Sequence, residues 1–355
     1  MVTIKDIAEK AGVSYSTVSR SLNDYAGTND ETKKRIKELA KQMGYEPNDI
    51  ARSLVTRRSN TVGFVLPDIA NPFFADILSA INEIAEMHGF NTLVCSTGWN
   101  ADKELQALKM LSSKRVDGIV LYPARLIEDD RLEVIKPPVI VMGRPYDPEK
   151  NRIKCVEVDN DKGARLAIDH LVASGYSRIA YLGGPNHSLS NIIRKQAFAD
   201  ELIKKQFACN EEWISDGEYT IDSGCERART LLKQTSKNAK QLPDALLCAN
   251  DMIALGAMQA VEELGFKLGK DIAVMGFDDV QYASLPQIQL STISIPRFEL
   301  GRISMQMLIE AIEQQPIDKA GRTNNSKYNL ALQQEVKGYR VLLYPELIVR
   351  KTTVK

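Results

Sequence analysis

TIKDIAEKAGVSYSTVSRSLND, residues 3–24, sets the fold at the N-terminal end of the chain. Thr3 stands where an N-cap belongs, with Asp6 three residues on, so its hydroxyl and the Asp6 carboxylate can satisfy each other's backbone donors in a capping box. A helix over Ile4 to Ala11 follows, and Gly12 ends it because glycine takes the left-handed conformation without penalty. Ser14 then caps a second helix from Tyr15 to Leu22, which carries too few apolar residues to be a core helix. Two helices joined by a tight glycine turn, the second polar, form the helix-turn-helix pattern. After the polar stretch Asn23 to Asn29, a third helix is predicted over Glu31 to Met43, with Ile36, Leu39, Ala40 and Met43 at helical spacing and Gly44 as its stop.

From Asn60 onward the pattern changes to apolar strands alternating with amphipathic helices. Strands are predicted at Val62 to Leu66, Thr92 to Cys95, Gly118 to Tyr122, Val139 to Met142, Val156 to Val158, Ile179 to Leu182, Ala245 to Ala249 and Ile272 to Phe277. Such alternation gives parallel sheets covered by helices, and the series begins again after about Asp159. One sheet of eight or more parallel strands would satisfy the alternation, but its near-repetition points to two Rossmann-like lobes with a cleft between them.

Composition narrows the function classes. At 355 residues the chain has room for about two domains and a buried core. No apolar run approaches the roughly 18 residues of a membrane span, and MVTIKDIAEKAG lacks the apolar stretch of a secretory signal, so a cytoplasmic, nucleoid-associated protein with no membrane partner is expected. Cys95, Cys155, Cys209, Cys225 and Cys248 are odd in number and widely spaced, which indicates neither a disulfide framework nor a zinc site. Lys plus Arg and Asp plus Glu both total 46, but residues 1 to 60 hold eleven basic against eight acidic groups, leaving +3 there and −3 elsewhere. That asymmetry fits a small DNA-binding module on a larger neutral one. The histidines His88, His170 and His187 are isolated, and Gly183-Gly184-Pro185 lacks the Lys-Ser/Thr ending of a phosphate loop. No catalytic residue, metal or cofactor is implied, and the chain is read as a non-enzyme; His170 is expected to cap or pack within its helix.

Residues 3–24 resemble the headpiece of the LacI/GalR (lactose-repressor-like) family of bacterial transcriptional regulators almost position for position. The resemblance implies that the second helix enters the major groove, with Tyr15, Ser16 and Arg20 at base edges and Thr17, Ser19 and Asn23 at phosphates. Arginine is the usual bidentate partner of guanine, and hydroxyls donate to phosphate oxygens, so the chemistry agrees. Thr3, Ser14, Thr32, Tyr45 and Asn48 join the implied DNA contacts. NDIARSLVTRRS, residues 48–59, resembles the family's hinge helix, with Leu54 as the minor-groove wedge and Ala51 one turn earlier. The competing readings are a solvated surface helix for Tyr15 to Leu22 and a plain linker for residues 48–59.

In the sensor domain, polar and aromatic residues collect at the carboxyl ends of strands, where open α/β sheets bind ligands. Phe73 and Phe74 follow the first strand, Arg144 the fourth, Arg194 the strand Ile179 to Leu182, Asn250 and Asp251 the strand ending ALLCA, and Asp278 the strand ending VMGF. The resemblance places these in an effector pocket and adds Tyr219 as an aromatic platform. Carboxylate, amide and guanidinium groups around aromatic faces suit a polyhydroxylated ligand, a sugar or sugar phosphate. Structural roles compete: an N-cap for Asn250 or Asp251, core packing for the two phenylalanines, an ion pair across the cleft for Arg194 and Asp278.

The implied organisation is a DNA-binding headpiece over 1–47, a hinge and linker over 48–60, and an effector-binding and dimerisation domain over 61–355. Within the last, the N-lobe is expected over about 61–159 and 291–318 and the C-lobe over about 160–290 and 319–355. DKAGRTNNSKYNLALQQEVKGYR, residues 318–340, is longer than the family usually has there and reads as a surface insertion or extended hairpin. The implied function is a homodimeric repressor of carbohydrate-use genes that binds a near-palindromic double-stranded operator under control of a small effector. Alternatives are a global catabolite regulator controlled by a phosphocarrier protein, a nucleobase-responsive repressor, and a transport sugar-binding protein of the same two-lobed fold.

Overall fold

The computed structural model describes residues 2–22, 27–45, 58–125, 132, 134–143, 153–235, 242–313, 334–337 and 340–354. The chain divides into two compact units, Met1–Ser59 and Asn60–Lys355. In the first, α1 spans Ile4–Ala11, α2 Tyr15–Leu22 and α3 Asp30–Gln42. The Thr3 capping box forms on both sides, and Gly12 takes a φ of 67° at the other end of α1. Ile7, Ala8, Val18, Ile36 and Ala40 make the buried core of this unit, one inward stripe from each helix. Arg35 donates to the Ala11 carbonyl at 3.1 Å and so satisfies an end of α1.

The second unit holds two parallel sheets. The N-lobe sheet is built from β1 (Thr61–Leu66), β2 (Asn91–Ser96), β3 (Gly118–Leu121), β4 (Val139–Met142) and β5 (Cys155–Val158), in the order β2-β1-β3-β4-β5. The C-lobe sheet repeats that order with β6 (Ile179–Leu182), β7 (Ile214–Ser215), β8 (Ala245–Cys248), β9 (Ala273–Asp278) and β10 (Ser291–Ser294), as β7-β6-β8-β9-β10. Helices α4 (Pro72–Met87) and α5 (Ala101–Ser113) belong to the first series, and α6 (Asn160–Ala173), α7 (Leu189–Lys204), α8 (Ile221–Thr235) and α9 (Asp251–Glu263) to the second. Helix α10 (Arg297–Glu313) packs on α4, β3 and β4, and Gly301 permits the close approach because a Cβ there would lie 2.5 Å from the Ile77 carbonyl.

Two lobe boundaries differ from the sequence expectation. Residues 291–294 were expected in the N-lobe, but β10 pairs with β9 and completes the C-lobe sheet, so the chain crosses only after Ser294. Residues 319–355 were expected in the C-lobe, yet β12 (Arg340–Leu343) pairs in parallel with β5 of the N-lobe, with β11 (Gln334–Lys337) antiparallel beside it. The chain then returns to the C-lobe, where β13 (Glu346–Ile348) pairs antiparallel with β10. Pairing with β12 satisfies the N–H and C=O groups on the outer edge of β5, which would otherwise lack partners. Of the stretch 318–340, read as a surface insertion or extended hairpin, β11 and the first residue of β12 are described and pair antiparallel; residues 318–333 and 338–339 lie outside the described residues.

Candidate effector cleft and DNA-reading helix

On α2, Val18 and Ser21 are buried while Tyr15, Ser16 and Arg20 lie on the exposed side, with Tyr15 56% exposed. Exposure is ordinary for Arg20, whereas a tyrosine ring this open to solvent is not, and the helical periodicity puts both on the face opposite Val18 and Ser21. Ser14 caps the helix: its Oγ accepts from the Thr17 N–H at 3.1 Å and lies 2.8 Å from both the Ser16 and Thr17 hydroxyls. Ser14 and Thr17 therefore do structural work besides any contact with phosphate. Thr3 and Thr32 sit at the starts of α1 and α3, with the Thr32 N–H on the Asn29 side chain at 2.8 Å; Ser19 and Tyr45 are partly buried. Asn23, Asn48, Ala51 and Leu54 lie outside the described residues.

The cleft follows from the sheet order. In each lobe the first strand pairs with the second on one side and the third on the other, so successive connections leave in opposite directions and open a crevice at their carboxyl ends. From the N-lobe crevice come Asn71, Phe73 and Phe74 after β1 and Tyr122 after β3, with Trp99 after β2; from the C-lobe come Ser190 and Arg194 after β6, Tyr219 after β7 and Asn250 after β8. These residues and Asp278 line one pocket that opens to solvent. A neighbouring pocket shares Phe73, Tyr122, Ser190 and Arg194 and extends toward the crossovers at Val158, Asn160 and Ile295.

Aromatic rings make up half of the lining that Asp278 and Asn250 share. Tyr122 meets Phe74 edge-on at 4.9 Å and Phe73 at 6.0 Å, and Trp99 of the N-lobe reaches Tyr219 of the C-lobe at 5.1 Å. Tyr219 is fixed by its hydroxyl, 3.0 Å from Ser188 Oγ and 3.3 Å from Ser190 Oγ. Gly184 makes room for it, since a Cβ there would collide with the Tyr219 ring. Asn191, fully buried, holds the loop after β6 by accepting from the Gly184 N–H at 2.9 Å and donating to the Gly184 carbonyl at 3.0 Å.

Arg194 is the buried cation of this lining. Its Nε donates to Asn160 Oδ1 at 2.8 Å, another nitrogen donates to the Ala249 carbonyl, and its guanidinium stacks 3.6 Å over the Phe277 ring. Asp278 Oδ1 stands 3.7 Å away. Burial pushes the Asp278 carboxyl up to about 7, against the opposing pull of Arg194 and Arg297. Burial likewise raises the Tyr122 and Tyr219 hydroxyls, so both remain neutral donors at ordinary pH.

Most of the expected effector residues meet here: Phe73, Phe74, Arg194, Tyr219, Asn250 and Asp278 line the same cavity. The two phenylalanines are both core and lining. Asn250 also fulfils its competing role, capping α9 by accepting from the Ile253 N–H at 2.9 Å. The Arg194–Asp278 pair lies within the C-lobe instead of across the cleft. Asp251 is the correction. Its carboxylate accepts from the Val280 N–H at 2.8 Å and the Thr292 hydroxyl at 2.6 Å, and it does not line either cleft cavity. At this helix start the Asn250 side chain turns to the α9 N–H groups and the cleft, whereas the Asp251 side chain turns inward to Val280 and Thr292. Arg144 lies outside the described residues. Asn71, Trp99, Tyr122 and Ser190 were missed; each follows a strand, the signal that found the others. His170 bonds outside its helix, to Thr353 Oγ1 at 2.7 Å.

Among the described residues no helix is long and apolar enough to cross a membrane. Residues 3–48 match the model for bacterial regulatory proteins of the lacI family, and residues 59–333 match that for periplasmic binding proteins and the sugar-binding domain of the LacI family. The chain is 31% identical over 320 residues to the catabolite control protein A of Priestia megaterium, covering 90% of this chain and 95% of that one. It is 30% identical over 353 residues to the ribose operon repressor of Halalkalibacterium halodurans, covering 99% and 97%. Its fold is similar to the lac repressor dimer bound to operator and the anti-inducer ONPF, with a TM-score of 0.82 and 27% identity over 100% of this chain and 99% of that one. Those relatives are regulators of transcription and not enzymes, and this chain, with its three-helix N-terminal unit and two-lobed cleft, belongs to the lacI family of bacterial regulatory proteins.

Proposed function

We propose that this protein is a cytoplasmic repressor that binds a near-palindromic operator as a homodimer and changes its DNA affinity when a neutral sugar fills the cleft. The observation that carries this reading is the convergence on one cavity of aromatic faces and hydrogen-bonding groups from the switch points of both lobes. A pyranose offers apolar ring faces to Trp99 and Tyr219 and hydroxyls to Asp278, Asn250 and Asn71. Arg194 already serves Asn160, the Ala249 carbonyl and Asp278, which favours an uncharged ligand over a sugar phosphate. Because the walls come from both lobes, a ligand bound between them favours the closed arrangement and biases whatever the N-lobe transmits toward residues 48–60, the hinge and linker of the sequence reading.

A screen of neutral sugars, sugar phosphates and nucleosides by calorimetry, followed by operator binding with each hit, tests the reading. A neutral sugar that binds at micromolar level and shifts operator affinity is the expected result. Binding by nucleosides alone would replace it with a nucleobase-responsive repressor, a second reading that the flat Trp99 and Tyr219 rings also suit.

A further inference from the structure

Arg297 opens α10 immediately after the chain crosses from β10 to the N-lobe, and its guanidinium reaches in two directions. One nitrogen donates to the main-chain carbonyl of Asp278 in the C-lobe. The Nε donates to Asp76 Oδ2 at 2.9 Å, on the second turn of α4 in the N-lobe, just beyond Phe73 and Phe74. Arg297 itself is only 14% exposed, whereas Asp76 is 44% exposed, so the ion pair alone adds little stability and the geometry is what matters. At the Asp278 end the backbone is strained: Asp278 has a φ of 113° and Asp279 one of 57°, conformations that non-glycine residues hold only when their surroundings impose them. Three side-chain contacts impose this one, beside the Ile295 N–H that also reaches the Asp278 carbonyl at 3.5 Å. Arg297 takes the Asp278 carbonyl, Arg350 binds Asp279 Oδ1 at 2.7 Å, and Asp251 receives the Val280 N–H. Of the three, Arg297 alone also holds the other lobe.

We propose that Arg297 is a positioning residue of the effector cleft: it fixes the strained Asp278 peptide, and with it the carboxylate, and ties that setting to α4 of the N-lobe through Asp76. A ligand that engages the Asp278 carboxylate then shifts the peptide on which Arg297 rests, and the planar fork passes the shift to α4. This rests on the cleft reading for its meaning but not for its test. The full chain is compared as a thermal cycle of Asp76→Asn, Asp278→Asn and both together, first in the parent and then in the Arg297→Met background. The expected result is non-additivity of about 1 to 2 °C in the parent that disappears without Arg297. Additive shifts in the parent would overturn the proposal, as would coupling that survives Arg297→Met.

A second readout separates positioning from support. Asp278 faces Arg194 on α7, Arg297 on α10, the buried Asp251 on α9 and the Tyr122 and Tyr219 hydroxyls after β3 and β7, so loss of the Arg297 charge moves the Asp278-dependent step in the Tm-against-pH profile to higher pH. Arg297→Lys restores that step by keeping the charge, yet does not restore the coupling, because an ammonium lacks the fork. A uniform drop in Tm with the step unmoved would make Arg297 merely structural. No ligand enters either measurement, so a sugar screen that fails leaves this outcome independent.

Discussion

Asp278 carries the strongest electrostatic signature of the cleft at the residue scale. Its carboxyl is pushed from 3.8 up to about 7 by burial, so between those values the native state binds a proton that the unfolded chain has released. Stability therefore falls as pH rises through that window, and above it the full cost of the buried charge remains. Asp278→Asn should flatten the Tm profile between about pH 4 and pH 7, with buried Asp251 left to contribute a residual slope of the same sign. A profile unchanged by the substitution would refute the assignment. Alanine at Arg194 or Asp278 should weaken the effector response by about 1.5 to 3 kcal/mol, the scale of a charged hydrogen bond, while operator binding without effector persists. Arg20 is the corresponding residue on the DNA side, exposed on α2. Arg20→Ala should lose about 1 to 3 kcal/mol of discrimination between operator and mutated operator, if the guanidinium is bidentate to guanine. Equal losses on operator and random duplex would instead make it a phosphate contact.

Helix α2 shows what an element of eight residues needs in order to exist, since so short a helix is not stable alone in water. Packing of Val18 against Ile7, Ile36 and Ala40 supplies one part, and the Ser14 cap the other. Ser14→Ala should cost about 0.5 to 2 kcal/mol of headpiece stability. DNA affinity should fall alongside it, and Ser14→Asp should recover most of the stability because its carboxylate can accept the Thr17 N–H. Circular dichroism melting of the isolated residues 1–59, a compact unit by itself, would check this. Equal melting of the serine and alanine forms would show that the cap is idle. The same local logic explains why Thr3 to Leu22 was legible in advance: both helix starts and the Gly12 stop are decided within four residues of sequence.

For the whole molecule, two compact units predict two responses to ligand. A sugar at a hundred times its dissociation constant should stabilise Asn60–Lys355 by about 2.7 kcal/mol and leave the headpiece transition where it was. Differential scanning calorimetry with and without the sugar would show one peak moving, and both moving together would contradict separate units. Within the larger unit, the strand cores, the helix series and the location of the site at strand ends were written in local apolar runs and in the order β-α-β, which forces parallel pairing and a crevice at the carboxyl ends. Only the tertiary structure decided which sheet receives β10, β12 and β13, because an edge strand pairs with whichever open edge comes within reach, and sequence distance carries no information about that. It also decided that Asn250 faces the cleft while its neighbour Asp251 is spent on Val280 and Thr292, and that Trp99 and Tyr122 join C-lobe residues about 70 to 180 positions away. Caps and periodicity are properties of neighbouring residues, so a sequence states them; convergence of side chains from two lobes is a property of the packed chain, and exists only once the sheets have closed on each other.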